Sequence, residues 1–478
     1  MKLLELLTGV LVRDFKIDMN TEISNITNDS RNVTEKTLFF AIKGYATDGH
    51  KYIKSAMEKG ATAIICEEKP DFDAPFILVK DARGAMSKIA SNFYGHPSRK
   101  MQVIGITGTN GKTTTTYLVK HILEHQGKKV GLIGTNQNMI GEEIINTERT
   151  TPESFEIQEL MHKMQEKNCD SMVMEVSSHS LVLHRVNSIA FDVGAFTNLS
   201  QDHLDFHHTF DEYAQAKSLL FRKCKYGVIN LDDDYADVML QNATCKVTTF
   251  GIDNSNADLV AKNVELHSNG VEFDACYLNK VCKIKLGIPG KFSVYNALTA
   301  IGSCLSLGVS LEDITDALAT AQGVRGRVEV VKTNTDYTVL IDYAHSPDGI
   351  VNVLSAVKGF AKGRVIAVFG CGGDRDKTKR PLMAKAAVKY ADLCIVTSDN
   401  PRTEVPAEII KDILVGMEDA PCPYDVIEER REAIVHALEI AQKDDIIVFM
   451  GKGHETYQEI HGVKYHLDER EEVLKYFA

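Results

Sequence analysis

Short apolar runs rich in Val, Ile and Phe recur along almost the whole chain, separated by stretches in which apolar residues return every three or four positions. The runs QVIGIT (102–107), KKVGLIG (128–134), SMVMEV (171–176), FDVGAFT (191–197) and YGVIN (226–230) predict strands, with helices between them. Parallel neighbours need a crossover long enough to hold a helix, so this alternation predicts an α/β fold with helices wrapped around a parallel sheet. The pattern restarts at YTVLIDY (337–343), RVIAVFG (364–370), LCIVTS (393–398) and DIIVFMG (445–451), with helices expected at 406–417 and 430–442.

Two breaks divide the pattern. Tyr94-Gly95-His96-Pro97-Ser98 ends a first region with strand-like runs at 38–42, 61–67 and 75–80 and a helix at 84–94, and Gly323 to Arg327 ends the second. The expected domains are 1–98, 99–328 and 329–478. The opening MKLLELLTGVLVRDF reads as an amphipathic helix rather than a secretion signal, because its apolar run is interrupted by Glu5 and no small-residue cleavage site follows.

Composition narrows the class. With 478 residues, 44% apolar and 25% charged, the chain has material for several cores, which excludes disorder, collagen and a membrane bundle. No run approaches the ~18 to 20 uninterrupted apolar residues of a membrane span. A formal charge of −12 argues against general affinity for nucleic acid or anionic lipid, so any anionic ligand must be held by local chemistry. The ten cysteines are scattered singly, the pattern of reduced thiols in a cytoplasmic protein.

The strongest chemical signal is Gly105-Ile-Thr-Gly-Thr-Asn-Gly-Lys-Thr113, set between a predicted strand and a predicted helix. Glycines let backbone N–H groups curl around phosphate, Lys112 adds a cation, Thr113 can hold Mg²⁺, and the helix N-terminus adds its dipole. A strict G-x-x-x-x-G-K-[ST] loop would have glycine at 106, where this chain has Ile, so the loop is a variant. Glu175 ends SMVMEV, and N198-L-S-Q-D-H-L-D-F-H207 follows FDVGAFT, so a carboxylate and an imidazole stand at neighbouring strand ends. His203 and His207 also have the i, i+4 spacing of a zinc pair, but the segment is not H-E-x-x-H and no third soft ligand is nearby. Lys217, in FDEYAQAKSLLF, reads from composition as a solvated lysine. Arg375 and Arg402 read equally as surface arginines or as site residues, because their loops follow predicted strands and should crowd onto one sheet edge with DYAHSPD and GKGHE.

GITGTNGKTTT, MEVSSH, NLSQDHLDFH, YAQAKSLLF, KFSVYNALTA, GRVE, DYAHSPD, GCGGDRDKTKRP, DNPR and GKGHE, in that order, resemble the Mur ligases over nearly the whole chain. The resemblance implies three domains: one for the UDP end of the substrate, a central phosphate-loop ATPase with a parallel sheet, and a C-terminal dinucleotide-fold-like domain for the incoming amino acid. It implies ATP binding by Gly108, Thr109, Asn110, Gly111, Lys112, Thr113, Thr114, Asn296, Arg327 and Asp342. It places Mg²⁺ on Thr113, Glu175, His203 and Lys217, the last as a carbamylated lysine, and gives catalysis to Lys112, Lys217 and His203. Ser30 matches the UDP contact, and Thr150, Thr151, Ser177 and Arg185 match the muramoyl-dipeptide contacts. Leu183 stands where relatives often carry Gln.

DNPR distinguishes the branch that adds meso-diaminopimelate from the one that adds L-lysine. Arg375, Asp399, Asn400, Pro401, Arg402, Gly451 and Glu455 then match the amino-acid site. The implied reaction joins meso-diaminopimelate to UDP-N-acetylmuramoyl-L-alanyl-D-glutamate through an acyl phosphate, in a cytoplasmic, monomeric enzyme of peptidoglycan precursor synthesis whose last domain closes over the site. The alternatives are the lysine-adding ligase, a folylpolyglutamate-type ligase, and a nucleotide switch that performs no ligation.

Overall fold

The computed structural model describes residues 1–44, 47–147, 149–200 and 204–478. It forms two compact units, Met1–Leu259 with Thr299–Ser310, and Val260–Leu298 with Leu311–Ala478.

The first unit begins with a five-stranded sheet in the order Val12–Phe15, Phe76–Val79, Ala61–Cys66, Thr37–Phe40, Asn25–Thr27. Its strands are parallel except Val12–Phe15, which runs antiparallel at the edge. That edge corrects the amphipathic helix expected at the start of the chain. The helix is confined to Leu3–Leu6, whose Leu3 and Leu6 are buried, and the chain then turns through Gly9 at φ 75°. Beyond it, Val12 is β-branched and loses side-chain freedom in a helix, whereas the strand paired with Phe76–Val79 accommodates it.

The same unit holds a larger, mainly parallel sheet. From one side its strands run Lys246–Gly251, Cys224–Asn230, Phe191–Phe196, Gln102–Thr107, Ser171–Glu175 and Val130–Ile133, followed by antiparallel Asn138–Ile140 and Glu143–Ile145. The runs at 102–107, 130–133, 171–175 and 191–196 are almost wholly buried, as strands covered on both faces must be. Gln102–Thr107 lies centrally, with Ile106 beside Glu175 on one side and Thr107 beside Phe196 on the other. The carboxyl ends of three strands therefore emerge together, where ligand crevices of such sheets form.

The second unit contains a six-stranded sheet in the order Glu329–Val331, Thr338–Asp342, Ile446–Met450, Val365–Phe369, Leu393–Val396, Tyr424–Val426, parallel except for the first strand. Alternate residues serve opposite faces. Leu340, Ala367, Val396 and Val448 pack with Ile350, Leu354, Met383 and Ile413, whereas Ile341, Val368, Ile395 and Phe449 pack with Ala433, Ile434 and Val473. The unit also holds two antiparallel hairpins that the apolar pattern did not predict, Gly270–Tyr277 with Lys280–Leu286, and Tyr457–Ile460 with Val463–His466.

Candidate active site

In the first unit the phosphate loop leaves Gln102–Thr107 and enters the helix Lys112–His125 through Gly108 and Gly111, at φ 145° and 83°. A Cβ at Gly108 would lie 1.9 Å from Thr197 Oγ1, so only glycine allows this approach to the neighbouring strand end. The loop is clamped to the segment after that strand. Thr109 N donates to Asn198 O at 2.8 Å, Asn110 N to Asn198 Oδ1 at 3.0 Å, and Thr197 Oγ1 to Asn110 O at 2.7 Å.

Two lysines converge on the loop. Lys112 Nζ donates to the carbonyls of Gly108 and Thr109, at 2.9 and 2.7 Å. Lys217, on the helix Phe210–Ser218, donates to the same Gly108 carbonyl at 2.8 Å and lies 4.4 Å from the Tyr213 ring centroid. Its side chain is buried, which corrects the solvated reading that composition alone gives. The Tyr213 hydroxyl sits 3.1 Å from Thr109 Oγ1, tying that helix to the loop.

Glu175 is held at its strand end by donors on both oxygens. Oε1 accepts from Thr113 Oγ1 at 2.9 Å and Thr135 N at 2.8 Å, and Oε2 accepts from Thr135 Oγ1 at 3.0 Å. Thr150 Oγ1 is 3.1 Å from the Thr135 hydroxyl. Thr151 Oγ1 donates to Glu175 O and accepts from Ser177 N, and Arg185 Nη1 donates to Thr151 O at 3.0 Å. Arg185 also pairs with the buried Glu153 at 2.8 Å, which Arg149 and Arg83 reach at 3.1 and 3.5 Å. Burial lowers the Arg185 pKa from its ordinary value, with Glu153 opposing the shift.

Ser30 opens a short 3₁₀ turn, Ser30–Asn32, whose Asp29, Arg31 and Asn32 line a cavity of about 750 Å³ together with Arg149 and Glu153. Thr114 is half-buried in the first turn of the phosphate-loop helix. His203 lies outside the described residues. His207, the other half of the zinc alternative, is buried and hydrogen-bonded through Nε2 to Ser178 Oγ at 2.8 Å. Thr113 and Glu175 present hard oxygen donors in mutual contact, a set that fits Mg²⁺.

In the second unit Asp342 ends the strand Thr338–Asp342 and accepts from Val328 N and Ala344 N, each at 2.8 Å. Burial raises its pKa, and the positive charge of Arg327 acts against that. The Arg327 guanidinium lies 5.4 Å from the Tyr343 ring centroid, with its Nε buried and unpartnered among the described residues. Asn296 is buried in the helix Lys291–Ser306.

The DNPR loop follows Leu393–Val396. Asn400 Nδ2 donates to Glu455 Oε2 at 2.8 Å, and a Cβ at Gly451 would meet Asp399 Oδ2 at 2.4 Å, so Asp399, Asn400, Gly451 and Glu455 form one cluster. Pro401 and Arg402 continue it. Arg402 adopts φ 50°, donates from Nη1 to Gly373 O at 2.7 Å, and lies 3.5 Å from Glu459. A Cβ at Gly373 would stand 1.9 Å from Pro401 O, which presses this glycine loop against DNPR. Arg375, two residues beyond Gly373, is exposed.

Three family models match consecutive parts of the chain: Mur ligase family, catalytic domain, over 22–94; Mur ligase middle domain over 106–304; and Mur ligase, glutamate ligase domain, over 326–453. The UDP-N-acetylmuramoyl-L-alanyl-D-glutamate–2,6-diaminopimelate ligase of Caldanaerobacter subterraneus subsp. tengcongensis is 52% identical, over 100% of this chain and 99% of that one. The chain belongs to the Mur ligase family. Another member, ligase 1 of the same designation from Clostridium acetobutylicum, is 50% identical over 96% of this chain and 95% of its own. A solved structure of an enzyme with that designation matches with a TM-score of 0.75 at 31% identity, covering 100% of this chain and 98% of that one. As a Mur ligase the protein is an ATP-dependent, amide-forming enzyme.

Two residues of this Mur ligase's candidate site escaped the sequence reading. Thr135 follows the strand Val130–Ile133, and the rule that ligand loops follow strand ends would have found it. Lys452 sits inside the GKGHE motif, between two residues already assigned, and only its burial distinguishes it.

Proposed function

We propose that this Mur ligase joins meso-diaminopimelate to UDP-N-acetylmuramoyl-L-alanyl-D-glutamate at the expense of ATP, in the cytoplasm and as a monomer. The observation that carries the reading is the pair of sites built at strand ends: a phosphate loop clamped beside Glu175, and a DNPR loop locked to Glu455. Its three domains are 1–98, 99–328 and 329–478; two of the matching family models, over 22–94 and 106–304, lie inside the first two, and the third, over 326–453, begins just ahead of the last boundary.

A carboxylate is a poor electrophile, because its charge repels an amine and oxide does not leave. The γ-carboxylate of D-glutamate is therefore activated as an acyl phosphate, which the amine of diaminopimelate attacks, and the tetrahedral intermediate expels phosphate to leave an amide. The backbone of 108–114 cradles the transferred phosphate, and Lys112 leaves its own loop carbonyls to balance the charge that develops there. Asn296, Arg327 and Asp342 hold the nucleotide. Thr113, Glu175, His203 and carbamylated Lys217 hold Mg²⁺, which supplies charge neutralisation when bound. Thr150, Thr151, Ser177 and Arg185 orient the dipeptide, and Ser30 the uridine end. Arg375, Asp399, Asn400, Pro401, Arg402, Gly451 and Glu455 hold the amino acid.

Measuring ADP release while omitting each reactant in turn tests the reading. Release that requires both UDP-N-acetylmuramoyl-L-alanyl-D-glutamate and meso-diaminopimelate is expected. Equal release with L-lysine would move the protein to the other branch, and release without any acceptor would make it a nucleotide switch.

A further inference from the structure

Lys452 is fully buried, with its side chain at 0% exposure, beside the DNPR loop of the second unit. Its Nζ donates to Asn400 Oδ1 at 3.2 Å, lies 3.4 Å from Glu455 Oε2, and stands 5.7 Å from the Tyr457 ring centroid. A buried ammonium is costly unless it is paired and hydrogen-bonded, so this one persists because those three groups receive it.

The surrounding hydrogen bonds leave Asn400 a single orientation. Its Oδ1 accepts from both Lys452 Nζ and Glu459 N, the latter at 2.9 Å, so its Nδ2 must face the other way, towards Glu455 Oε2 at 2.8 Å. Rotating the amide would set an N–H₂ group against two donors. Glu455 Oε2 thus collects two donors, from Asn400 and Lys452, and Oε1 is left to meet something else. Arg430 completes the frame. It is fully buried, pairs with Glu469 at 2.7 Å, and donates to Ser398 O and Met450 O, the carbonyls just ahead of Asp399 and Gly451. Within this frame three carboxylates, those of Asp399, Glu455 and Glu469, face two cations, Arg430 and Lys452. Arg402 pairs with Glu459, and Arg327, beside the Tyr343 ring, is matched by Asp342, so neither pair changes the count. The cluster is one cation short.

We infer that Lys452 is a positioning residue for the amino-acid acceptor: by fixing the Asn400 amide and one oxygen of Glu455, it aims the other oxygen at an ammonium group of the ligand. This rests on the proposed diaminopimelate site and assigns Lys452 a role within it. Lys452 does not touch the acceptor. It acts through Asn400 and Glu455, and the ligand supplies the missing cation.

The test compares Lys452→Met, Glu455→Gln and the double variant with the wild type, by steady-state kinetics with each of the three substrates varied. Lys452→Met should raise KM for meso-diaminopimelate about tenfold, the loss expected for one charge-assisted hydrogen bond, and leave KM for ATP and for the UDP-linked substrate unchanged. Because Lys452 acts through Glu455, it should add less than about twofold when Glu455 is already Gln. Effects that multiply in the double variant, or an unchanged diaminopimelate KM in folded Lys452→Met, overturn the proposal. If Lys452→Met does not fold, Lys452→Gln takes its place, removing the charge-assisted bonds to Asn400 and Glu455 while keeping a polar side chain in the buried space. It must then reproduce the selective rise in KM, and failure to do so also overturns the proposal. A wild-type enzyme showing no diaminopimelate-dependent ADP release would instead refute the function proposed above, so the two failures are distinct.

Discussion

Thr113 donates its hydroxyl to Glu175 at 2.9 Å, joining the start of the phosphate-loop helix to the end of the adjacent strand in a buried contact. The bond brings two oxygen donors together beside the loop, and Thr135 prevents the carboxylate from turning away. In the function proposed above, a phosphoryl group would meet donors and a carboxylate already held in place, as electrostatic preorganisation requires.

Lys112→Ala and Glu175→Ala should both lose acyl-phosphate formation itself and not merely the later attack by the amine. Single contributions of positioned charge to phosphoryl transfer reach about 3 to 4 kcal/mol, so a fall of at least ~10² in rate is expected. Trapping the acyl phosphate in the absence of diaminopimelate reads this directly, and normal accumulation in either variant would contradict its assigned role.

For Lys217, buried against Gly108 O and the Tyr213 ring, replacement by Ala should nearly abolish ligation. A free ammonium beside Mg²⁺ repels it, whereas a carbamylated lysine presents a carboxylate-like group. Added formate should therefore recover part of the activity of Lys217→Ala by occupying the vacated space. Full activity without formate would remove Lys217 from the mechanism.

Selection of diaminopimelate over lysine should reside in Arg402. The two acceptors differ by one distal carboxylate, and a guanidinium can meet it with two parallel charge-assisted hydrogen bonds worth about 1.5 to 3 kcal/mol each. Arg402→Ala should lower kcat/KM for meso-diaminopimelate by at least ~10², with far less effect on any lysine activity. An equal loss for both would show that Arg402 instead supports the loop, where it already donates to Gly373 O.

Acid should weaken the second unit through Glu404. Hydrogen bonds from Arg380 hold the Glu404 carboxyl well below its ordinary range, at about 2. A carboxylate with a depressed folded-state pKa contributes stability that is fully present above its ordinary value near 4.5 and is lost as the pH falls towards 2. Urea midpoints of Glu404→Gln should therefore decline less steeply than wild type across that interval, and parallel declines would count against the assignment.

The sequence reading was strongest where chemistry and periodicity coincide. The four buried strands around the phosphate loop and the strand ahead of DNPR all stand within two residues of their expected bounds, because buried parallel strands are continuous apolar runs. It failed where tertiary pairing overrides local pattern. MKLLELLTGVLVRDF has helical spacing, yet only four of its residues form the helix, since Val12–Phe15 gains more as an edge strand. Lys217 and Lys452 were unreadable as buried groups because nothing in their neighbours' composition announces burial.

The central place of Gln102–Thr107 in its sheet also sets when the site can come into being. The strand is made before either of its neighbours, and Thr197, which clamps the loop, follows Thr107 by 90 residues. At translation rates of about 5 to 20 residues per second, roughly 5 to 18 seconds separate the two on the ribosome. Through that interval the glycine-rich segment lacks the clamp supplied by Thr197 and Asn198, although Glu175 is already available to Thr113. Nucleotide can therefore stabilise the emerging chain only after the strand Phe191–Phe196 has left the exit tunnel, and mutations that slow its docking will reduce the yield of folded enzyme without altering the activity of the molecules that succeed.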